Sequence, residues 1–378
     1  VRKLITITLC LGLLMAGTQS ASANILPPAF LKLATSPALS NPGIIVIDPS
    51  NEGTLYDETG DTPRAPASVL KLVAMTTAIT ELGPTKTFLT GIYSTTKPNT
   101  FLIHSDGDPW MTSSKFEAKK YHRVFFPGLI STALATTKSH NITLLNSGVY
   151  TKDLQSIQKF FSKKYHFTIK PVANLEAAMS TAKNLLKEST SPSVSEIAQF
   201  CLLYSDNLLA ERLSRTAAHQ MGFTANGEGI QSAFIKTLEK LEVPTDGLQV
   251  FDGSGLSHDD RITPKTLAML LIKIKSDPDL KVIYDGLPVA GKTGTLESRF
   301  VKDAPSAVGL IKAKTGWINS SVSLAGFVEV GSEEYVFAVI ADKVTPRETN
   351  RALARKAIDK MLATIAKPSS SGSSSLNE

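Results

Sequence analysis

Cysteine is almost missing from this chain: Cys10 and Cys201 are its two copies in 378 residues. A disulfide framework is therefore excluded, and stability has to come from a buried apolar core, which a chain this long can build without staples. Histidine is scarce too. Its six copies (His104, His122, His140, His166, His219 and His258) are dispersed, with no pair at ligand spacing and no cysteine cluster beside them. No metal or other cofactor is expected. Membrane-spanning runs of ~20 apolar residues are also lacking. The shorter apolar run Leu4 to Ala16 follows Arg2 and Lys3 and precedes the small-residue stretch Ala21-Ser22-Ala23. That order predicts a signal peptide over residues 1–23 and a mature chain that is secreted, periplasmic or cell-wall-associated, with no stable membrane span. The net charge of +6 is modest, the lysines are scattered and no nucleic-acid motif is present, so nucleic acid is not an expected partner.

What is present has a clear order. "GIIVIDPS" and "GTLYDE" read as a β-hairpin turning at Pro49 to Gly53. "APASVLKLVAMTTAITELGP" (65–84) is apolar on nearly every side, which predicts a helix buried in the domain centre and closed by Gly83-Pro84. Residues 86–180 mix short strand-like runs with two helical patterns. Long helices are expected over 195–221, broken near Ser205, over 227–241, and over 263–276 with Thr263 as N-cap and Pro264 in the first turn. Three strand-like runs ("AVGLIKAKTGWI", "SSVSLAGFVEV", "YVFAVIADK") and a helix packed on the domain follow, and the tail from Lys367 is low-complexity. This is an α/β arrangement whose antiparallel sheet draws strands from both chain ends.

For chemistry, the Ser-His-Asp route wants a Gly-x-Ser-x-Gly elbow, and "DGSGLS" offers only Gly253-Ser254-Gly255. A lysine can activate serine instead, provided burial keeps its amine neutral, and residues three apart share one helix face. Ser-x-x-Lys occurs at Ser68-Lys71, Ser94-Lys97, Ser156-Lys159 and Ser180-Lys183. Only the first opens a buried helix, where free N–H groups favour an oxyanion and Lys71 is carried into the interior. Acyl-amide cleavage also needs a proton route to the leaving amine and an anchor for a terminal carboxylate. Ser205-Asp206-Asn207 supplies a hydroxyl and an amide at the helix break. Lys314-Thr315-Gly316 supplies a cation and a hydroxyl on a strand, with Gly316 expected to let substrate backbone lie flat against the strand edge. Lys-Thr-Gly also occurs as Lys292-Thr293-Gly294, but between Pro288, Gly291 and Gly294, in a loop unsuited to a rigid sheet edge.

In the order Ser-x-x-Lys, Ser-Asp-Asn, Lys-Thr-Gly, the chain resembles the class C low-molecular-mass penicillin-binding proteins, the D-alanyl-D-alanine carboxypeptidase/endopeptidases. The stretches "SDGDPWMTSS", "FDGSGLSHDDRITP" and "LPVAGKTGTLESRF" add to the likeness. The resemblance implies a penicillin-binding protein/β-lactamase-like transpeptidase fold, an antiparallel sheet flanked by helices. Segments 24–95 and 186–366 would form the peptidase domain, 96–185 a reduced insert, and 367–378 a disordered tail. It implies Ser68 as acylated nucleophile, Lys71 as its base, Ser205 as proton relay and Lys314 tuning the field between them. Asn207 would hold the substrate amide and Thr315 the terminal carboxylate. The N–H groups of Ser68 and Trp317 would form the oxyanion hole, and Asp252 to Ser257, Ser254 included, would line the pocket. In that family a Gly-Thr-Leu segment occupies the place of Lys292 to Leu296, which makes the first triplet a decoy.

The implied partners are peptidoglycan stem peptides ending in D-Ala-D-Ala, and β-lactam antibiotics as covalent inhibitors. Carboxypeptidase action, with cross-link cleavage as a second reaction, is the main reading. A β-lactamase and a weakly catalytic wall-binding protein on the same scaffold are the alternatives. Only 137 positions separate Ser68 from Ser205, so two full inserted domains do not fit, and the bulky Trp317 narrows the expected cleft.

Overall fold

The computed structural model describes residues 26–367. The signal peptide expected over 1–23 lies outside the described residues, as does the tail from 368. Helix α1 (Pro28–Ala34) leads to the hairpin of β1 (Gly43–Asp48) and β2 (Gly53–Glu58). Its turn is held by side chains that imitate backbone: Asp48 Oδ1 accepts from Ser50 N and Asn51 Oδ1 accepts from Gly53 N. A single 3-10 turn, Ala67–Leu70, then runs into α2 (Lys71–Leu82), which ends at Gly83 with φ of +87°. Nine consecutive residues of α2, Lys71 to Ile79, are buried, as an all-round apolar helix requires.

The chain next builds β3 (Leu89–Thr95), β4 (Thr100–Ser105), α3 (Lys115–Tyr121), α4 (Phe126–Leu134), β5 (Asn141–Ser147), α5 (Thr151–Phe161), β6 (His166–Pro171), α6 (Leu175–Met179) and β7 (Ala182–Thr190). The five strands form one mixed sheet, β6-β5-β4-β3-β7, whose core packs under α4 and α5 around Phe126, Ile130, Ile142 and Ile157. The insert is expected over 96–185, and this sheet reaches beyond both of those bounds. β3 and β7 hydrogen-bond to each other along their length, so the independently cored unit runs from Leu89 to Thr190. The segment also holds four helices rather than two: α3 and α6 are short pieces of seven and five residues, neither with a buried residue, and too short to show a helical period.

Helices α7 (Val194–Tyr204), α8 (Asn207–Gln220), α9 (Gly227–Lys240), α10 (Pro264–Ser276) and α11 (Lys281–Asp285) follow. The expected break is at Ser205, whose φ of +58° is left-handed, and Asp206 caps α8 by accepting from Leu209 N at 3.0 Å. β8 (Ile311–Ile318), β9 (Ser321–Val330), β10 (Glu333–Ala341) and α12 (Glu348–Ala363) complete the chain. The second sheet is antiparallel in the order β2-β1-β10-β9-β8, so the first hairpin joins the last strands through Gly43 opposite Ile340. One face is covered by α1 and α12, with Phe30, Phe337 and Ile358 in the core; the other by α2 and α7 to α11, with Val73, Phe234 and Phe327. β8 lies at the edge, beside the first turn of α2, and that edge holds the site.

Candidate active site

Ser68 sits in the 3-10 turn and Lys71 is the first residue of α2, so the three-residue spacing puts both on one side. Lys71 is fully buried, and its Nζ lies 2.8 Å from Ser68 Oγ, 2.7 Å from Asn207 Oδ1 and 2.6 Å from the Ser254 carbonyl. A neutral amine has two N–H donors and one lone pair. Two carbonyl acceptors and one hydroxyl match that set, with the lone pair turned to the serine proton. Burial lowers Lys71 from 10.5 to about 8, against the opposing pull of Asp252 and Asp206. Cys201, buried beside it, offers no counter-charge, because burial pushes its thiol up to about 12.

The left-handed Ser205 turns its hydroxyl to a second buried lysine: Lys314 Nζ donates to Ser205 Oγ and to the Thr315 carbonyl, each at 2.9 Å. Burial first, and then the charge of Lys71, hold Lys314 well below the usual lysine range. Ser68-Lys71 and Ser205-Lys314 thus form two hydroxyl-amine pairs on one cleft. Asn207 opens α8, and because its Oδ1 accepts from Lys71 its amide N–H groups remain for the cleft.

The sheet edge supplies main-chain donors. Ala313 N–H donates outward to the Pro288 carbonyl, away from β9, so by the two-residue period of a strand Thr315 and Trp317 point their N–H groups the same way. Trp317 N–H therefore faces the cleft beside Ser68, whose own N–H belongs to the opening of a helical turn. Gly316 lines the cleft and also has a packing task. A Cβ there would overlap Ser323 Oγ and lie 2.9 Å from Pro66 O and Ser68 N. The glycine lets the nucleophile's own turn dock on the strand. The Trp317 ring is 57% exposed, at the rim, with the Arg351 guanidinium 5.5 Å from its centroid.

The cleft encloses about 770 Å³ and reaches Ser68, Ser205, Asn207, Thr315, Gly316 and Trp317. Asp252 and Ser254, expected on its wall, stand behind it. The Asp252 carboxylate accepts from the N–H groups of Ser254, Gly255, Leu256 and Ser257 and from Ser254 Oγ. Burial acts to raise this carboxyl, but those bonds outweigh it and hold it below the ordinary value. Its work is to fold the loop that offers the Ser254 carbonyl to Lys71. The cleft side of that loop is Leu256 and His258.

Lys292 of the first Lys-Thr-Gly is exposed, on a turn, and far in role from Lys314. Its neighbourhood is not inert, however. Thr295 lines the cleft and accepts from Thr315 Oγ1 at 2.8 Å, so two hydroxyls stand together where one was expected. Arg299 and Arg355 add positive charge at this end, braced by Asp359 and Glu348 respectively. The sequence signal for Thr295 was the Gly-Thr-Leu segment itself; nothing local distinguished the two arginines.

The segment 89–190 also reaches this corner. Buried Arg123 donates to the carbonyls of Trp110, Pro109 and Met111 and bonds Glu117 and, at 3.4 Å, Asp206 of the Ser205-Asn207 corner. Trp110 and Tyr121 stack edge-on to Phe200, which in turn meets Tyr204 on the cleft wall.

Comparison with known proteins bears on this geometry. The sequence profile of the D-Ala-D-Ala carboxypeptidase 3 (S13) family matches residues 30–122 and 149–365. Carboxypeptidase DacB of Mycolicibacterium smegmatis is 31% identical over 199 residues, covering 51% of this chain and 42% of that one. The D-alanyl-D-alanine carboxypeptidase of Actinomadura sp. is 31% identical over 161 residues, 41% of this chain and 30% of that one. The matched region spans less than half the length of either relative. Among solved structures, penicillin binding protein 4 from Haemophilus influenzae superposes with a TM-score of 0.70 at 17% identity, over 86% of this chain and 96% of that one. A predatory endopeptidase from Bdellovibrio bacteriovorus, solved with an immunity protein, gives 0.60 at 16%, over 86% and 92%. At these identities the structural likeness speaks for the fold.

Proposed function

The chain belongs to the D-Ala-D-Ala carboxypeptidase 3 (S13) family, and from that premise we propose that it is a serine DD-peptidase, removing the terminal D-alanine from peptidoglycan stem peptides through an acyl-enzyme on Ser68. The observation that carries the proposal is the buried Lys71 amine, 2.8 Å from Ser68 Oγ and held by two carbonyl acceptors. Ser68 Oγ attacks the carbonyl of the penultimate residue as Lys71 Nζ takes its proton. The oxyanion is held by the Ser68 and Trp317 N–H groups, which preorganised donors do at no cost at the moment of reaction. As the C–N bond breaks, the leaving D-alanine nitrogen takes a proton from Ser205 Oγ, replenished from the lysine pair. Water then enters, loses its proton to the same bases, and releases the shortened peptide and Ser68.

Thr315 and Thr295, with the charge of Arg299 and Arg355 behind them, suit the terminal carboxylate, and Asn207 suits the substrate amide. The same nucleophile would open a β-lactam ring, which has no leaving group to depart, so β-lactams would act as covalent inhibitors. Cleavage of cross-links belongs to the same chemistry. Export by the segment 1–23 and action in the cell envelope complete this reading, with residues 89–190 as an inserted module of the peptidase domain.

Turnover of a diacyl-Lys-D-Ala-D-Ala tripeptide, followed by D-alanine release, tests the proposal. Intact-mass detection of a benzylpenicillin adduct, with Ser68→Ala as control, tests the nucleophile. Release that persists in Ser68→Ala would sink the mechanism, and an adduct without peptide turnover would favour a binding protein on this scaffold.

A further inference from the structure

The positive charge of this protein is not spread over it. Residues 89–190 hold 13 basic residues, Arg123 and 12 lysines, against 6 carboxylates, a surplus of seven. The other residues hold 27 basic against 28 acidic, a net of −1. Every lysine of the insert is exposed, and none forms an ion pair among the described residues, whereas the peptidase domain pairs Lys240, Lys265, Lys273, Lys275, Lys281 and Lys356.

The topology gathers part of this charge in one place. β4, β5 and β6 run parallel, and β3 is antiparallel both to β4 and to β7, as Ser94 opposite Phe101 and Thr95 opposite Ala182 establish, so β7 shares the direction of the other three. The end of β3 and the starts of the other four strands therefore share one rim, opposite the end where the chain enters at Leu89 and leaves at Thr190. On or beside this rim lie Lys97, Lys138, Lys163, Lys164 and Lys183, and the segments 95–100, 134–142, 161–167 and 178–184 contain no carboxylate. The loops are tied together: Thr137 Oγ1 donates to Asn99 Oδ1, His140 Nδ1 meets the Lys164 carbonyl, and Thr96 N donates to Thr181 O. Beside the rim, Leu134, Phe160, Phe161, Tyr165, Lys163 and Lys164 line a groove of about 390 Å³, with Phe160 45% exposed.

We infer that this rim and groove form a docking surface for an anionic polysaccharide of the cell envelope, separate from the catalytic cleft. Unpaired lysines on a carboxylate-free rim attract a polymer of negative charge and repel a basic one. The aromatic walls offer flat apolar faces to sugar rings, and the groove takes a chain segment rather than a planar bilayer. The choice of polysaccharide over nucleic acid rests on the proposed function, since stem peptides are carried on glycan strands. The surface itself does not depend on that reading.

The test is binding of the full chain to fluorescein-labelled oligogalacturonate, by anisotropy at two salt concentrations. Neutral dextran, phosphatidylglycerol vesicles and single-stranded DNA serve as competitors. Changing Lys97, Lys138, Lys163, Lys164 and Lys183 together to Gln is expected to weaken binding by about ten-fold or more, and high salt should mimic the loss. A charge-matched control changes Lys32, Lys236, Lys292, Lys302 and Lys343 to Gln and is expected to lose less than about two-fold. Equal loss in the control would overturn the site, as would equal binding of dextran. Tighter binding of vesicles or DNA would overturn the polysaccharide assignment. Peptide turnover unchanged in the rim variant shows that it is folded. Should that variant misfold, Phe160→Ser with Tyr165→Ser serves as the second probe, and undiminished binding there would remove the groove from the proposal. Absence of DD-peptidase turnover with intact, rim-dependent binding would sink the proposed function while leaving this surface standing.

Discussion

Raising the pH should switch on acylation, and the structure fixes where. Lys71 is lowered from 10.5 to about 8 because its amine is sealed from water between Ser68, Asn207 and the Ser254 carbonyl. The shift corresponds to about 3 kcal/mol of bias toward the neutral form. At pH 7 about one molecule in ten then carries a neutral Lys71, and at pH 9 about nine in ten. The rate constant for acylation by benzylpenicillin, followed by rapid quench and intact mass, should rise about ten-fold from pH 7 to 9 and level off. An ordinary lysine would start near three in ten thousand and climb about a hundred-fold over the same interval without a plateau. The sign follows from the base: protonation removes the acceptor, so activity is lost as pH falls through the folded value. Lys71→Arg keeps the charge but cannot give up its proton, and should lower the rate by about a thousand-fold. A log-linear rise continuing past pH 9.5, or a flat profile from pH 6 to 10, would refute the reasoning.

Other expectations follow from single contacts. Gly316→Ala drives a Cβ against Ser323, Pro66 and Ser68, and should cost about 2 kcal/mol in denaturant unfolding together with most of the acylation rate; an unchanged midpoint would refute the docking role. Burial raises the Asp260 carboxyl to about 7, and its Oδ2 has no hydrogen-bond partner among the described residues. The folded form therefore binds a proton that the unfolded chain has released. Stability should fall as pH rises from about 4 to 7, by up to roughly 4 kcal/mol, and Asp260→Asn should abolish that dependence in urea midpoints at pH 5 and 8. Arg123→Ala should cost about 2 kcal/mol or more in thermal unfolding by freeing three carbonyls and two carboxylates. Thr295→Val should raise KM for a D-Ala-terminated peptide by about ten-fold with a smaller effect on kcat, and an unaltered KM would remove Thr295 from the carboxylate site.

The sequence by itself determined the elements and the chemistry that depend on local pattern. An all-apolar stretch opening at Ser68 has one way to lie, inside, and it carries Lys71 with it. Ser205 marks a helix break because Ser-Asp-Asn favours a cap over a continuing turn, and the first hairpin and the three last strands are written in alternation and turn residues. The family likewise lay in the order of three short motifs. What the sequence left undecided is everything set by juxtaposition. Asp252 and Ser254 resemble cleft residues in a motif-rich loop, yet the carboxylate is spent on its own loop's N–H groups, because five donors within six residues outbid any distant ligand. Thr295 beside a decoy triplet became a cleft hydroxyl because the sheet edge brings Thr315 to it. Gly316 proved to serve the packing of the nucleophile's turn, a requirement imposed by a segment some 250 positions away. The sheet of residues 89–190 reaches past 96 and 185 for the same reason: β3 and β7 pair with each other, and pairing across some ninety residues leaves no mark in either strand alone. Local periodicity is a property of neighbours in the chain, whereas the environments of Lys71, Thr295 and Asp252 are properties of neighbours in space.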